Sequence, residues 1–250
     1  SSIITIFCLS PIMLKANLVF NIILWKRMMI YAFPLLIAGL AGITNEAMDR
    51  ILLKHLLPNQ EIATHELGLY GAFYKLSIIM ALFIQTFRFA AEPFFFEQHK
   101  NKQDRKIYAD VMHYFVIVMI FIFLVVTIFY DFIILFLGPS YHDERGFIVV
   151  SILLLANLFL GIFFNLSIWY KLVGKTIFGA YLSIFGAIIT LVLNIILIPR
   201  IGFVGSAITT LACYFSMVIA SYFFGKKYFY IPYKIKNGSL YLLSMLGIYY

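Results

Sequence analysis

The chain has 250 residues, of which 63% are hydrophobic and only 12% charged, with a mean hydropathy of +0.97 and a formal net charge of +8. Soluble domains hold about 45–50% apolar and about 25% charged residues, so this composition excludes a soluble globular domain and identifies an integral membrane protein. Barrel strands are excluded as well, since alternating segments of about ten residues are absent.

A helix needs about 20 apolar residues to cross a hydrocarbon core of about 30 Å. The chain opens without methionine inside "SSIITIFCLSPIML", a partial span over 1–14. No basic stretch precedes it, which argues against a signal peptide. Full spans are predicted at about 28–53, 68–96, 108–137, 146–170, 177–198 and 203–224, and the chain stops inside another partial span at 239–250. With both ends inside incomplete elements, the expectation is a piece of a longer protein. Cys8 and Cys213 fall in separate apolar segments and read as small core residues rather than a disulfide pair.

Charge placement orients these spans. Lys15, Lys26 and Arg27 precede the first full span, and Lys100, Lys102, Arg105 and Lys106 follow the second. Lys171 and Lys175 follow the fourth, and Lys226, Lys227, Lys234 and Lys236 the sixth. These thirteen cations oppose three, Lys54, Arg145 and Arg200, in the alternate loops, which also carry Glu61, Glu66, Asp143 and Glu144. The unbroken alternation places the thirteen on the cytoplasmic side. The net charge then belongs to that face and its anionic lipids, not to nucleic acid. The longest loops, about 54–67 and 97–107, are too short for a soluble domain. His55 and His65 share one with Glu61, an arrangement more typical of solvated surface than of a metal site. No His/Asp cluster suits membrane-enzyme chemistry, so neither catalytic nor metal residues are expected.

Charges inside spans are costly, about 2.5–3.5 kcal/mol each near a helix centre, and persist where they pair or meet water. The first full span carries "NEAMDR" after a charge-free run. Glu46 and Arg50 are four apart with the acid first, the favourable order for an intrahelical pair, and Asn45 and Asp49 share the adjacent row. Asp49 lies about 13 Å by helical rise from the middle of its span, so interfacial solvation is a competing account of this cluster. On the second span Gln85, Arg88 and Glu92 project within about 60° of one another as one polar stripe. Lys75 lies off that stripe, where a long side chain can reach outward to the interface. Arg88, Arg50, Lys75 and Gln85 are therefore candidates for a substrate path, and Asp49, Glu46 and Glu92 for charge balance or ion coupling. Asn157, Gly161 and Asn165 form an i, i+4, i+8 row that reads as helix-packing glue, as does Asn194.

Glycine pairs mark the starts of two spans, "GLYGAFYKLS" from Gly68 and "GFVGSAITTLACY" from Gly202, the latter after Pro199, which is expected to end the preceding helix. Together, "FPLLIAGLAGITNEAMDRILLKHLL", "ELGLYGAFYKLSIIMALFIQTFRFAAEPFFFE" and "LVLNIILIPRIGFVGSAITTLACY" resemble the second half of Wzx-type bacterial polysaccharide flippases, of the multidrug/oligosaccharidyl-lipid/polysaccharide exporter superfamily. The resemblance runs from about Lys26 to Tyr250. It places Pro34, Asp49, Arg50, Gly68, Tyr70, Lys75, Pro93, Asn194, Pro199, Gly202, Gly205 and Ala207 on the family pattern, and leaves Glu46 and Arg88 unmatched.

The resemblance implies an all-α polytopic bundle in which residues 1–27 are the end of a sixth helix and an inner loop. Residues 28–224 would be the second six-helix lobe, and 225–250 an inner loop and the start of a further helix. It implies flipping of an undecaprenyl-pyrophosphate-linked oligosaccharide across the bacterial cytoplasmic membrane, by rocking of this lobe against an N-terminal lobe of the same protein. No cofactor is implied beyond a coupled proton or sodium ion. A drug/cation antiporter of the same superfamily and a glycan-modifying membrane enzyme are the alternatives.

Overall fold

A computed structural model of the chain describes residues 20–101, 105–138 and 141–234, with isolated positions at 7, 10, 238, 241 and 247. The partial spans expected at 1–14 and 239–250, Cys8, and the loop cations Lys15, Lys102 and Lys236 lie essentially outside these residues. Among the described residues the chain is all-α, and six helices are long and apolar enough to cross a membrane. It is a multi-pass membrane protein.

Helix α1 (Ile22–Leu56) contains Pro34 and is capped by Asn21, whose side chain accepts from the Ile23 and Leu24 amides. Helix α2 (Gln60–Lys100) contains Pro93 and starts at an Asn59 cap that accepts from the Glu61 amide. That start lies well before the predicted one at 68, because hydropathy does not register a polar helical turn projecting past the bilayer. At about 1.5 Å per residue, α2 runs about twice the hydrocarbon thickness. His65 is therefore helical, and so is His55, whose Nδ1 lies 2.7 Å from the Ile51 carbonyl. The shared flexible loop expected for them is absent.

Helix α3 (Lys106–Ile128) stops nine residues short of the predicted end, at Phe129. A short helix α4 (Tyr130–Ile134) and a 3-10 turn (Leu135–Leu137) follow. The apolar run conceals this break, which lays Tyr130 against Phe147 at the start of α5 (Gly146–Leu166), ring centroids 5.1 Å apart. A second short helix, α6 (Ile168–Leu172), leads to α7 (Ile177–Ile201) and α8 (Phe203–Tyr228). Pro199 does not end its helix as expected. It sits inside the last turn of α7, and the reversal comes at Gly202, whose φ of +58° and ψ of −139° suit only a residue without Cβ.

The bundle centre is α5, packed on α8, α2 and α3, while α1 packs chiefly on α7. One core cluster joins Phe73, Met80 and Ile84 of α2, Met119 and Phe123 of α3, and Val149 to Leu158 of α5. A second, toward the other end, gathers Phe95, Tyr108, Trp169, Cys213 and Phe229. Lipid tails are as apolar as these side chains, so close packing rather than dehydration holds the helices together. Gly161 illustrates this, since a Cβ there would collide with the Phe115 ring of α3.

Loops that share a sign in the charge pattern share an end of the bundle. At one end Arg105 donates to the Tyr230 carbonyl at 3.2 Å, and Lys234 pairs with Asp110 at 2.9 Å. At the other, Glu66 (8% exposed) accepts from Arg145 Nη1 at 3.0 Å and from the Phe203 amide at 2.8 Å. Arg145 also bonds Asp143 through Nε and Nη2 and lies 4.4 Å from the Phe203 ring centroid. One carboxylate thus clasps α2, the loop before α5 and the first turn of α8. The Arg145 hydrogen bonds hold the Asp143 carboxyl below the usual carboxylate range.

Candidate functional site

A cleft of about 660 Å³ opens between α1, α2, α5 and the α7–α8 pair. Its polar lining includes Glu46, Gln85, Arg88, Glu92 and Asn157, together with Tyr31, Tyr74, Tyr170, Lys171 and Tyr214. The stripe of Gln85, Arg88 and Glu92 therefore faces one space. Arg88 Nε donates to Glu92 Oε1 at 2.9 Å, and the guanidinium sits 4.7 Å from the Phe164 ring centroid. Lys171 Nζ donates to the same Oε1 at 2.6 Å. This lysine counted as a loop cation in the sequence, but α6 folds it into the cleft wall, where its side chain is 11% exposed. The two partners are 79 residues apart, so no helical spacing announces the pair.

The N-terminal half of α1 is tied to the same wall. Tyr31 OH donates to the Lys171 carbonyl at 3.3 Å, and Thr176 Oγ1 donates to the Tyr31 carbonyl at 2.9 Å.

Glu46 and Arg50 do not form the expected intrahelical ion pair. Tyr74 comes between them: its OH donates to Glu46 Oε1 at 2.6 Å, and the Arg50 guanidinium lies 4.6 Å from its ring centroid. Arg50 is exposed outside the cleft lining, and so is Lys75, which departs from a role for either as a direct wall of the path. Arg50 lies one turn beyond Glu46 on the same helical face, covered on the cleft side by Tyr74, and Lys75 lies on another face of α2 than Arg88.

Asp49 is only 3% exposed, so interfacial solvation does not account for it. Its carboxylate is enclosed by three donors from three helices: Tyr70 OH of α2 at 2.9 Å, Asn194 Nδ2 of α7 at 2.7 Å and Thr210 Oγ1 of α8 at 2.7 Å. Asn194 is therefore a ligand of this acid as well as a packing residue. On the same three helices as Asp49, Asn194 and Thr210, five buried oxygens have no hydrogen-bond partner: Asn45 Oδ1, Thr190 Oγ1, Asn194 Oδ1, Ser206 Oγ and Thr209 Oγ1. Tyr70 and Asn194 stood on the family pattern; Thr210 carried no signal beyond its place in the α8 motif.

Asn157 and Asn165 do not bridge helices. Each amide donates to the carbonyl four residues earlier in α5, Leu153 and Gly161 respectively, at 3.1 Å. The packing contact of that row belongs to Gly161, and Asn157 turns its face to the cleft. Among the described residues no group of three or more His, Cys, Asp or Glu is placed to hold a metal ion.

The site therefore has two parts, an amphipathic cleft with two cations sharing one carboxylate and a buried acid held by three donors. Compared with family models, with curated proteins and with solved structures, the chain matches none of them.

Proposed function

We propose that this chain is the second lobe of a polysaccharide flippase of the bacterial cytoplasmic membrane, moving an oligosaccharide linked to undecaprenyl pyrophosphate from the inner to the outer leaflet. The observation that carries this reading is the cleft itself: an amphipathic space of about 660 Å³ among bilayer-length helices, with Arg88 and Lys171 at one wall and tyrosines and amides around it. A lipid-linked glycan leaves its tail in the bilayer, while its pyrophosphate and sugars need a space lined in part by polar and cationic groups. The tyrosines offer flat faces and hydroxyls to sugar rings.

Transport requires the cleft to open to each side in turn. The long exposed apolar face of α1, from Leu24 through Met28, Leu36, Leu40 and Ile43, supplies a surface on which a preceding N-terminal lobe rocks. Asp49 is the coupling residue in this reading. Two hydroxyls and an amide N–H hold its carboxylate, so taking up a proton or a monovalent cation there alters the bond set that ties α1 to α2, α7 and α8.

The test is export of surface polysaccharide by the intact gene product in a strain lacking its own flippase. Arg88→Ala abolishes export at unchanged protein abundance, and Arg88→Lys keeps part of it, because charge survives but the guanidinium fork does not. Parental export by the double variant Arg88→Gln/Glu92→Gln would reduce Arg88 to half of a structural pair and sink the proposal. An organic-cation antiporter is the second reading, favoured only by Glu46, which borders the cleft with no cation paired to it. Drug resistance lost on Glu46→Gln, with export untouched, would decide for it.

A further inference from the structure

Glu92 is placed where a ligand's anion would sit. Its Oε1 receives both cations of the cleft wall, Arg88 Nε from its own helix and Lys171 Nζ from α6. One oxygen thus satisfies two positive groups, and the cluster keeps a net charge of one. Among the described residues only Nε of the five N–H donors of Arg88 is engaged, leaving a fork of donors for a further acceptor. The arginine and the carboxylate are open to the cleft, with side chains 39% and 34% exposed, whereas the lysine is covered.

A covered lysine beside an arginine is unfavourable unless an anion stands between them. The chain provides that anion itself on a rotatable side chain, at a place a tetrahedral phosphate, with its several acceptor oxygens, fills better than one carboxylate oxygen does.

We infer that Arg88 and Lys171 form a phosphate seat and that Glu92 is its built-in occupant, displaced when the pyrophosphate of a lipid substrate arrives. The inference rests on reading the cleft as the path of an anionic lipid. Glu92 keeps the two cations converged while the cleft is empty and holds the seat against neutral lipids, which carry no anion to take its place and gain nothing from its removal. It also lowers apparent affinity by the fraction of time it holds the seat, which favours release on the far side.

The experiment is calorimetric binding of farnesyl pyrophosphate to the full purified chain in detergent, with inorganic pyrophosphate and farnesol as comparison probes. Glu92→Gln binds farnesyl pyrophosphate about tenfold tighter than the parent, the gain expected for a seat vacant about a tenth of the time. Arg88→Gln and Lys171→Gln bind it at least about tenfold more weakly, as loss of a charge-assisted contact demands. Farnesol is bound alike by all. Inorganic pyrophosphate following the same order would show that the seat takes free anions, and farnesyl pyrophosphate alone doing so would show that the isoprenoid tail is also read; either supports the seat.

Glu92→Asp supplies a second route if Glu92→Gln fails to fold. It keeps the charge but is one methylene too short to serve both cations, and it too binds more tightly than the parent. Binding by the parent with no gain in a folded Glu92 variant would overturn the built-in occupant while leaving the lipid path intact. Blindness of parent and variants alike to both pyrophosphates would overturn the path as well.

Discussion

Tyr70→Phe isolates one bond of the Asp49 network without disturbing its packing. The ring is 1% exposed and stays in place, and what disappears is the hydroxyl that donates to Asp49 Oδ2 at 2.9 Å. A hydrogen bond to a charged acceptor contributes about 1.5–3 kcal/mol in soluble proteins. Bonds between membrane helices average about 0.6 and reach about 1.7 kcal/mol, because the separated helices also find partners. The second scale governs here, so the expected loss is about 1–2 kcal/mol, at the upper end because the acceptor is a carboxylate. The desolvation cost of Asp49 itself cancels in a double-mutant cycle with Asp49→Asn, which carries the same cost on both legs. The measurement is the midpoint of unfolding by sodium dodecyl sulfate in mixed micelles for parent, both single variants and the double variant. A coupling energy of about 1 kcal/mol is expected. If Tyr70→Phe costs as much in the Asp49→Asn background as in the parent, the bond contributes nothing, and Asp49 is not the tie between α1 and α2 described above.

Sidedness is tested with single cysteines in a variant otherwise free of cysteine and an impermeant thiol reagent on intact cells: positions 61 and 200 label and positions 102 and 234 do not, and the reverse would invert the orientation drawn from thirteen cations against three. Gly202→Ala lowers the unfolding midpoint by the equivalent of about 1–3 kcal/mol, since the positive φ becomes strained, and the new Cβ drives Glu66 off the Phe203 amide; an unchanged midpoint would show that the clasp of Glu66 is slack. That clasp also responds to acid. Because the folded Asp143 carboxyl titrates below its unfolded value of about 3.9, its stabilisation is complete above that pH and is lost as the pH falls through the lowered value. The midpoint gap between parent and Asp143→Asn therefore closes on acidification, and a gap that stayed constant would mean that the Arg145 bond is not what lowers the carboxyl.

The sequence by itself determined the solvent and the spans. In hydrocarbon every backbone group must be satisfied within its own helix, so a bilayer-length apolar run commits its residues locally, and six spans could be read from hydropathy alone. Short-range helical geometry was legible too. Arg88 and Glu92 pair because they are four residues apart on α2, and Gln85 joins their face for the same reason. Where the backbone departs from the bilayer pattern, hydropathy misled: it hid the break at Phe129 and missed the polar start of α2 at Gln60. Only the tertiary structure decided which faces meet. Between lipid-embedded helices a leucine against a leucine and a leucine against a lipid tail are nearly equivalent, so no hydrophobic pattern announces a helix's neighbour. Asp49 therefore read as a residue near the interface until packing brought it Asn194 and Thr210, from 145 and 161 residues away. Lys171 likewise read as a loop cation until α6 turned it onto Glu92, and Tyr74 separated Glu46 from Arg50 because α2 lies beside α1 at that turn. The charges were visible in the chain; which of them share an oxygen was settled by close packing of helices far apart along it.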